Sequence, residues 1–295
     1  MEKAKVYLIS TGDRRAGVQR CLGHIGPLDY SGKRVFIKPN FNTADPAPGS
    51  THHDTLDELL RHLRAANPAK LTLGERSGPA DVAEVFEKKG IPAMCEQYGV
   101  ELVNFERLSP SDWVTLDRPG LHWPGGLQTP RVVAEADAVV CTCCLKTHGF
   151  GGVYSNALKL AVGLVPKDFE TLHGSPDMRK MIAEINLAYT PDFVLSDAVE
   201  VFTDGGPMEG VRKRAELMFI GSDRVALDAV GLAILKSLGS NRAIMDTPIF
   251  EQEQVARAVE LGLGVSSSDA IEVVTDDGES ERAAQKIREI LQRER

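Results

Sequence analysis

The chain has 295 residues, of which 42% are hydrophobic and 26% are charged, and its formal net charge at pH 7 is −8. This length suffices for a sizeable core, whereas the acidic balance and the absence of a basic stripe argue against nucleic acid as a partner. No stretch approaches the ~20 apolar residues that span a bilayer, and the apolar run over residues 1–10 is too short for a signal peptide, so no membrane partner is expected.

The cysteines indicate a reducing compartment. The chain has five of them, and three lie within the four positions 141–144. Such crowding is not typical of a disulfide framework; it indicates free thiols or metal ligands. We therefore expect a cytoplasmic protein.

Apolar periodicity and turn residues predict alternating strands and helices along the chain. In chain order, the predicted elements are strand 4–10, helix 13–25, strand 34–39, helix 54–65, strand 70–75, helices 81–89 and 92–98, strands 101–105 and 137–144, helices 155–163 and 177–188, strands 192–196 and 216–221, helices 224–237 and 248–261, strand 270–275 and helix 281–295.

This order predicts the fold class. Strands separated by helices are typical of βαβ units, so we expect an α/β protein with a mostly parallel sheet and flanking helices, Rossmann-like, as one domain over residues 1–295 or as two lobes. Residues 107–130 carry both tryptophans of the chain and several prolines. We expect this irregular segment to be a lid or a domain boundary.

Polar residues follow several of the predicted strands. Lys38 and Asn40 end one strand, Glu75 ends another, and Asp197 ends a third. Residues 141–148, with the sequence Cys-Thr-Cys-Cys-Leu-Lys-Thr-His, lie at the end of a further strand. The carboxyl ends of parallel strands share one edge of the sheet, where open α/β folds bind ligands. The sequence therefore predicts one pocket built from several loops.

The segment after this cysteine-rich strand favours an anionic ligand. Lys146 and His148 lie two residues apart, so both side chains can face one pocket if the backbone is extended. Lysine offers positive charge, and histidine can transfer a proton near neutral pH. The further candidates for ligand binding are a glycine-rich turn, a predicted helix start and two more lysines: Gly149, Gly151, Gly152, Ser155, Asn156, Lys38 and Lys159. The alternative is that the glycines only form a turn.

Two carboxylates are candidates for the chemistry. Glu75 and Asp197 stand at strand ends, where each can orient His148 or contact a metal. With Lys146 and His148 they form the predicted catalytic set, in which His148 is the acid or base.

The cysteines allow a second hypothesis. Cys143 and Cys144, together with His148, offer ligands that suit a soft transition metal. An iron–sulfur cluster normally takes four cysteines, so a further ligand would be required. The alternative is that these thiols are part of the core, because free cysteine is among the most buried residue types.

Several motifs in a fixed order carry a family resemblance. They are Lys38-Pro-Asn40, Ala136-Asp137, Lys146-Thr-His148, Ala157-Leu-Lys159 with Gly163, and Gly221-x-Asp223 with Asp228. Together these motifs resemble the domain of unknown function 362 family of bacteria and archaea, over roughly residues 33–240. The resemblance implies an iron–sulfur cluster in members with an appended ferredoxin-like module, and this chain has no C-x-x-C-x-x-C run.

Three hypotheses for the function follow from the sequence. The first is an enzyme that acts on a small anionic metabolite. The second is a protein that binds a metal or a redox cofactor. The third is a metabolite-binding subunit without catalytic activity. The sequence leaves the reaction and the oligomeric state open.

Overall fold

A computed structural model describes residues 3–294 and contains one large sheet and two small ones. Its strands are β1 Ala4–Ser10, β2 Arg34–Lys38, β3 Lys70–Glu75, β4 Val100–Asn104, β5 Trp113–Leu116, β6 Leu127–Pro130, β7 Ala138–Cys144, β8 Lys146–His148, β9 Val153–Ser155, β10 Phe193–Gly205, β11 Gly210–Gly221 and β12 Ile271–Val274.

The helices fall between these strands. They are α1 Arg14–Ile25, α2 His53–Ala65, α3 Val82–Lys88, α4 Ile91–Tyr98, α5 Arg131–Ala134, α6 Phe169–His173, α7 Met178–Ile185, α8 Arg224–Leu238, α9 Arg242–Met245, α10 Glu253–Glu260 and α11 Gly278–Arg293. Short 3-10 helices are found at 105–107, 110–112, 159–164, 186–188, 249–251 and 268–270.

The large sheet is mostly parallel, as the sequence predicts. Its strand order is β12-β1-β11-β10-β7-β2-β3-β4. Strand β11 runs antiparallel to both of its neighbours, and the other five pairings are parallel. The α/β fold class is therefore confirmed, with the carboxyl ends of β2, β3, β7 and β10 along one edge.

Apolar side chains cover both faces of this sheet. Helices α1 to α4 pack on one face, and their core includes Leu59 and Leu60 of α2. Helices α8, α10 and α11 pack on the other face, where almost all of α8 is buried. A sheet covered on both faces accounts for the continuously apolar strands in the sequence.

The predicted helix over 155–163 is wrong. The chain instead forms the hairpin β8–β9 and then the 3-10 helix 159–164. Long-range hydrogen bonds hold this backbone: the Asn156 side chain donates to the Leu227 carbonyl, and the Leu158 amide donates to Asp228. Tertiary contacts of this kind override local helix propensity.

Residues 107–130 form a β-hairpin of β5 and β6 with flanking turns. Trp123 donates its indole N–H to the Met181 carbonyl, and the buried Glu184 accepts hydrogen bonds from His122. The segment is thus attached to α7. No helix within residues 3–294 has the length and apolar character needed to cross a bilayer.

Candidate functional site

A cleft opens at the carboxyl ends of β2, β3 and β7 and has a cavity volume of about 60 Å³. Most of the residues predicted for the site line it, which places them around one cleft. The predicted residues along its wall are Lys38, Asn40, Glu75, Cys143, Cys144, Lys146, His148, Ser155, Asn156 and Lys159.

A buried ion pair forms the floor of the cleft. Lys38 Nζ lies 2.6 Å from Glu75 Oε2, and both side chains are almost fully buried. Burial lowers the pKa of Lys38 and raises the pKa of Glu75, while their mutual attraction opposes both shifts. The predicted partnership of Glu75 with His148 is not formed, because the carboxylate faces Lys38.

Three further basic side chains line the cleft. Among residues 3–294, Arg76, Lys146 and Lys159 form no ion pair. Arg76 donates to the carbonyls of Val165 and Ser77, and Lys146 Nζ donates to Asn40 Oδ1 at 2.7 Å. All three side chains are buried. A cluster of positive charge of this kind favours an anion in the cleft.

Lys159 has the least support from neighbouring polar groups. No hydrogen bond joins its amine to any other group in the described part of the chain. Burial lowers the pKa of Lys159 to about 7, and the positive charges of Arg76 and Lys146 contribute. The amine therefore titrates near neutral pH.

His148 lies next to this amine. Its Nδ1 is buried without a hydrogen-bond partner in the described structure. Burial lowers the pKa of His148 well below its usual range, and Lys159 and Lys146 lower it further. The imidazole is therefore neutral at pH 7, and a bound anion would favour its protonation. An unsatisfied buried nitrogen costs stability, so it points to a role in function.

Gly152 keeps this pair close together. A methyl group at position 152 would overlap the Lys159 side chain and would lie 3.2 Å from His148 Nδ1. The glycine thus has a packing role behind the cleft wall. Gly149 and Gly151, like Gly152, are absent from the lining of the cleft, and they belong to the β8–β9 turn. The prediction that these glycines contact the ligand has no support from their positions.

Asp197 also lies away from the lining of the cleft. Its carboxylate accepts a hydrogen bond from Arg14 Nε at 2.7 Å and another from Thr55 Oγ1 at 3.1 Å. These partners belong to α1 and α2. Asp197 therefore attaches the helical layer to β10, and its predicted contact with His148 is not formed.

Cys143 and Cys144 are free, buried thiols. Cys143 Sγ lies 3.3 Å from Asn156 Oδ1 and 3.2 Å from Ser196 Oγ. Burial raises the pKa of Cys143, and it raises the pKa of Cys144 to about 11. Within residues 3–294, no group of three or more histidine, cysteine or acidic side chains could hold a metal ion. The predicted set of Cys143, Cys144 and His148 is thus not assembled as a metal site.

The predicted helix start at Ser155 and Asn156 offers no helix dipole to a ligand, because no α-helix forms there. Asn156 uses its amide to connect Cys143 with the Leu227 carbonyl. Both residues still line the cleft. Their contribution is therefore steric and polar, and the positive charge of the cleft comes from its basic side chains.

Seven lining residues were missing from the predicted site residues: Asn42, Arg76, Gly78, Leu160, Val162, Gly163 and Pro207. Arg76 directly follows Glu75 at the end of β3, so the strand-end rule that selected Glu75 could have found it. Pro207 belongs to the β10–β11 turn, whose Gly206 carbonyl accepts a hydrogen bond from the Gly149 amide. No sequence pattern connects these two distant turns.

Most of the chain matches a known protein family. A family model described as domain of unknown function (DUF362) matches residues 35–233. No curated protein matches the chain in sequence.

The solved structures that are similar to parts of the chain include the following two proteins. The lactate racemase apoprotein from Thermoanaerobacterium thermosaccharolyticum has 19% identity and a TM-score of 0.47, and the match covers 73% of this chain and 54% of that one. A Thermotoga maritima protein, solved by a structural genomics consortium, has 16% identity and a TM-score of 0.44, with coverage of 68% and 53%. The match thus spans about half the length of each of these proteins.

Proposed function

Because the chain belongs to the family described as domain of unknown function (DUF362), a description that specifies no reaction, we propose its function from the cleft alone. We propose that the protein is an enzyme that binds a small anionic metabolite and transfers a proton to or from it. The observation that carries this proposal is a group of three buried basic side chains that form no ion pair within residues 3–294: Arg76, Lys146 and Lys159.

The charges support the binding of an anion. A buried cation without a partner is costly, and a carboxylate or phosphate group in the cleft would offset that cost. Arg76 presents a planar guanidinium and Lys146 a compact ammonium, and both groups recognise such anions. Lys38 contributes less, because Glu75 already neutralises it.

The neighbouring imidazole supports proton transfer. His148 is neutral at pH 7 because of its burial, so it can accept a proton from the bound metabolite. The negative charge of the ligand would then stabilise the imidazolium. Lys146 and Lys159 hold the anionic group beside the ring.

Identification of the ligand tests the proposal first. Native mass spectrometry of the purified protein should detect a retained small anion, and calorimetric titration with small carboxylates and phosphates should show saturable binding. An absence of saturable binding across this panel would contradict the proposal.

Turnover of the identified ligand then tests the acid–base role. The variant His148→Gln should bind the ligand with affinity close to that of the wild type and lose turnover. His53→Gln is the matched control, because His53 is exposed on α2 and does not line the cleft. Unchanged turnover in His148→Gln would refute the role of His148. Binding without any turnover in the wild type would favour a metabolite-binding subunit.

A further inference from the structure

A second, apolar chamber adjoins the polar cleft. It has a cavity volume of about 270 Å³, and seven residues line both spaces: Asn42, Arg76, Gly78, His148, Lys159, Val162 and Pro207. The residues that line only the outer chamber are Pro79, Phe150, Phe169, His173 and Met208. The two spaces therefore adjoin each other, with Lys159 and His148 among the residues at the boundary.

The outer chamber exposes aromatic surface to solvent. Phe150 is 58% exposed and Phe169 is 41% exposed, and they are the two aromatic members of the four exposed large hydrophobic residues in the described chain. Exposed apolar residues grouped beside a polar cavity are typical of ligand-binding surfaces. Their position at the mouth of the cleft thus points to a ligand.

The structure holds these aromatic rings in place. The Phe150 ring meets the His148 ring edge to face, with 6.0 Å between the centroids. Phe169 and His173 lie four residues apart on α6, and their ring centroids are 5.5 Å apart. Leu172 of α6 is buried in a small apolar cluster, which anchors this helix. The apolar wall that Phe150 and Phe169 form in the outer chamber is therefore present before a ligand binds.

We infer that the ligand is amphipathic, with an anionic head and an apolar tail. The head lies among Arg76, Lys146 and Lys159, and the tail extends past His148 onto Phe150 and Phe169. This inference rests on the proposed anion site, because that site fixes the position of the head. A small, fully polar anion would make no apolar contact with Phe150 and Phe169.

Four probes test the inference by calorimetric titration. Butanoate and 4-phenylbutanoate share a carboxylate head, whereas inorganic phosphate and phenyl phosphate share a phosphate head. At least one phenyl-bearing probe should bind the wild-type protein about tenfold more tightly than its partner, which is the gain expected when part of a ring leaves water. In the double variant Phe150→Ala/Phe169→Ala, this preference should disappear while the affinity for the smaller probe stays unchanged.

Met245→Ala is the matched control, because Met245 is 42% exposed and lies outside both chambers. It should retain the preference for the phenyl-bearing probe. Equal affinities within both pairs, or a preference that survives in the double variant, would overturn the inference and leave the anion site intact. No binding of any of the four probes would contradict the anion site itself and the inference with it. Thermal denaturation of each variant confirms that it is folded.

Discussion

Lys38 and Glu75 form an ion pair across the neighbouring parallel strands β2 and β3, with Lys38 Nζ 2.6 Å from Glu75 Oε2. Glu75 also accepts a hydrogen bond from the Phe41 amide, at 3.0 Å. Gly163 of the 3-10 helix packs directly against it. The floor of the cleft thus depends on a glycine that is distant from both strands in sequence.

The substitution Gly163→Ala tests this contact. The added methyl would overlap Glu75 Oε1 and would lie 2.6 Å from Lys38 Nζ, so we expect a loss of about 1–3 kcal/mol in the free energy of unfolding. Urea denaturation measures it. Gly23→Ala in α1 is the control: beyond its chain neighbours and the backbone of its own helix, no atom lies within 4 Å of the added methyl, and helix propensity predicts a gain of about 1 kcal/mol. Equal stability of Gly163→Ala and wild type would contradict the packing described here.

The strand-end rule grouped Lys38, Glu75 and Lys146 at one edge of the sheet, because parallel strands place their carboxyl ends together. In the structure all three residues line one cleft. The strand-end rule could not predict the face of the sheet on which the Asp197 side chain lies, because the partner of Asp197, Arg14, is 183 positions away in sequence. Side chains alternate between the two faces of a strand, so a polar residue at a strand end can also serve the opposite layer.

The order of strands and helices likewise predicted the fold class but not the local path after β7. The predicted helix there depended on propensity alone. In the structure, the buried Asn156 and Asp228 side chains form hydrogen bonds with distant backbone groups and fix a tighter path. Such partners are brought together only by the complete fold.

The substitution Lys159→Met should stabilise the protein, most strongly at low pH. The pKa of Lys159 is about 7 in the folded state, against the usual 10.5. Between pH 7 and pH 10.5 the amine of Lys159 is protonated in the unfolded chain and neutral in the folded chain. The free energy of unfolding that this lysine costs therefore decreases as the pH rises. Below pH 7 the cost has its full value. Urea denaturation should show a larger gain at about pH 6 than at about pH 9. A gain independent of pH would contradict the shifted pKa.

Anion binding should be coupled to proton uptake. At about pH 8 the amine of Lys159 is mostly neutral, and a bound anion would favour its charged form. The calorimetric binding enthalpy should therefore depend on the ionisation enthalpy of the buffer in wild type and lose this dependence in Lys159→Met. The same enthalpy in all buffers for the wild type would exclude this coupling.

The cysteines should be unreactive in the folded protein. All five are free and buried, and the pKa of Cys144 is raised to about 11. Iodoacetamide attacks the thiolate, so at about pH 8 mass spectrometry should find the native chain unmodified under conditions that alkylate the urea-unfolded chain. Rapid alkylation of Cys143 or Cys144 in the native protein would instead indicate an accessible thiolate and revive the metal-ligand hypothesis.

The affinity for an anion in Lys146→Gln tests the central claim most directly. Glutamine can still donate a hydrogen bond to Asn40, so the substitution removes mainly the charge from the cleft. Lys88→Gln is the charge-matched control, because Lys88 is exposed on α3 and paired with Glu84. For an anion that binds the wild type, calorimetric titration should show affinity reduced at least about tenfold in Lys146→Gln and unchanged in Lys88→Gln. Equal affinity in wild type and Lys146→Gln would contradict an anion site in this cleft.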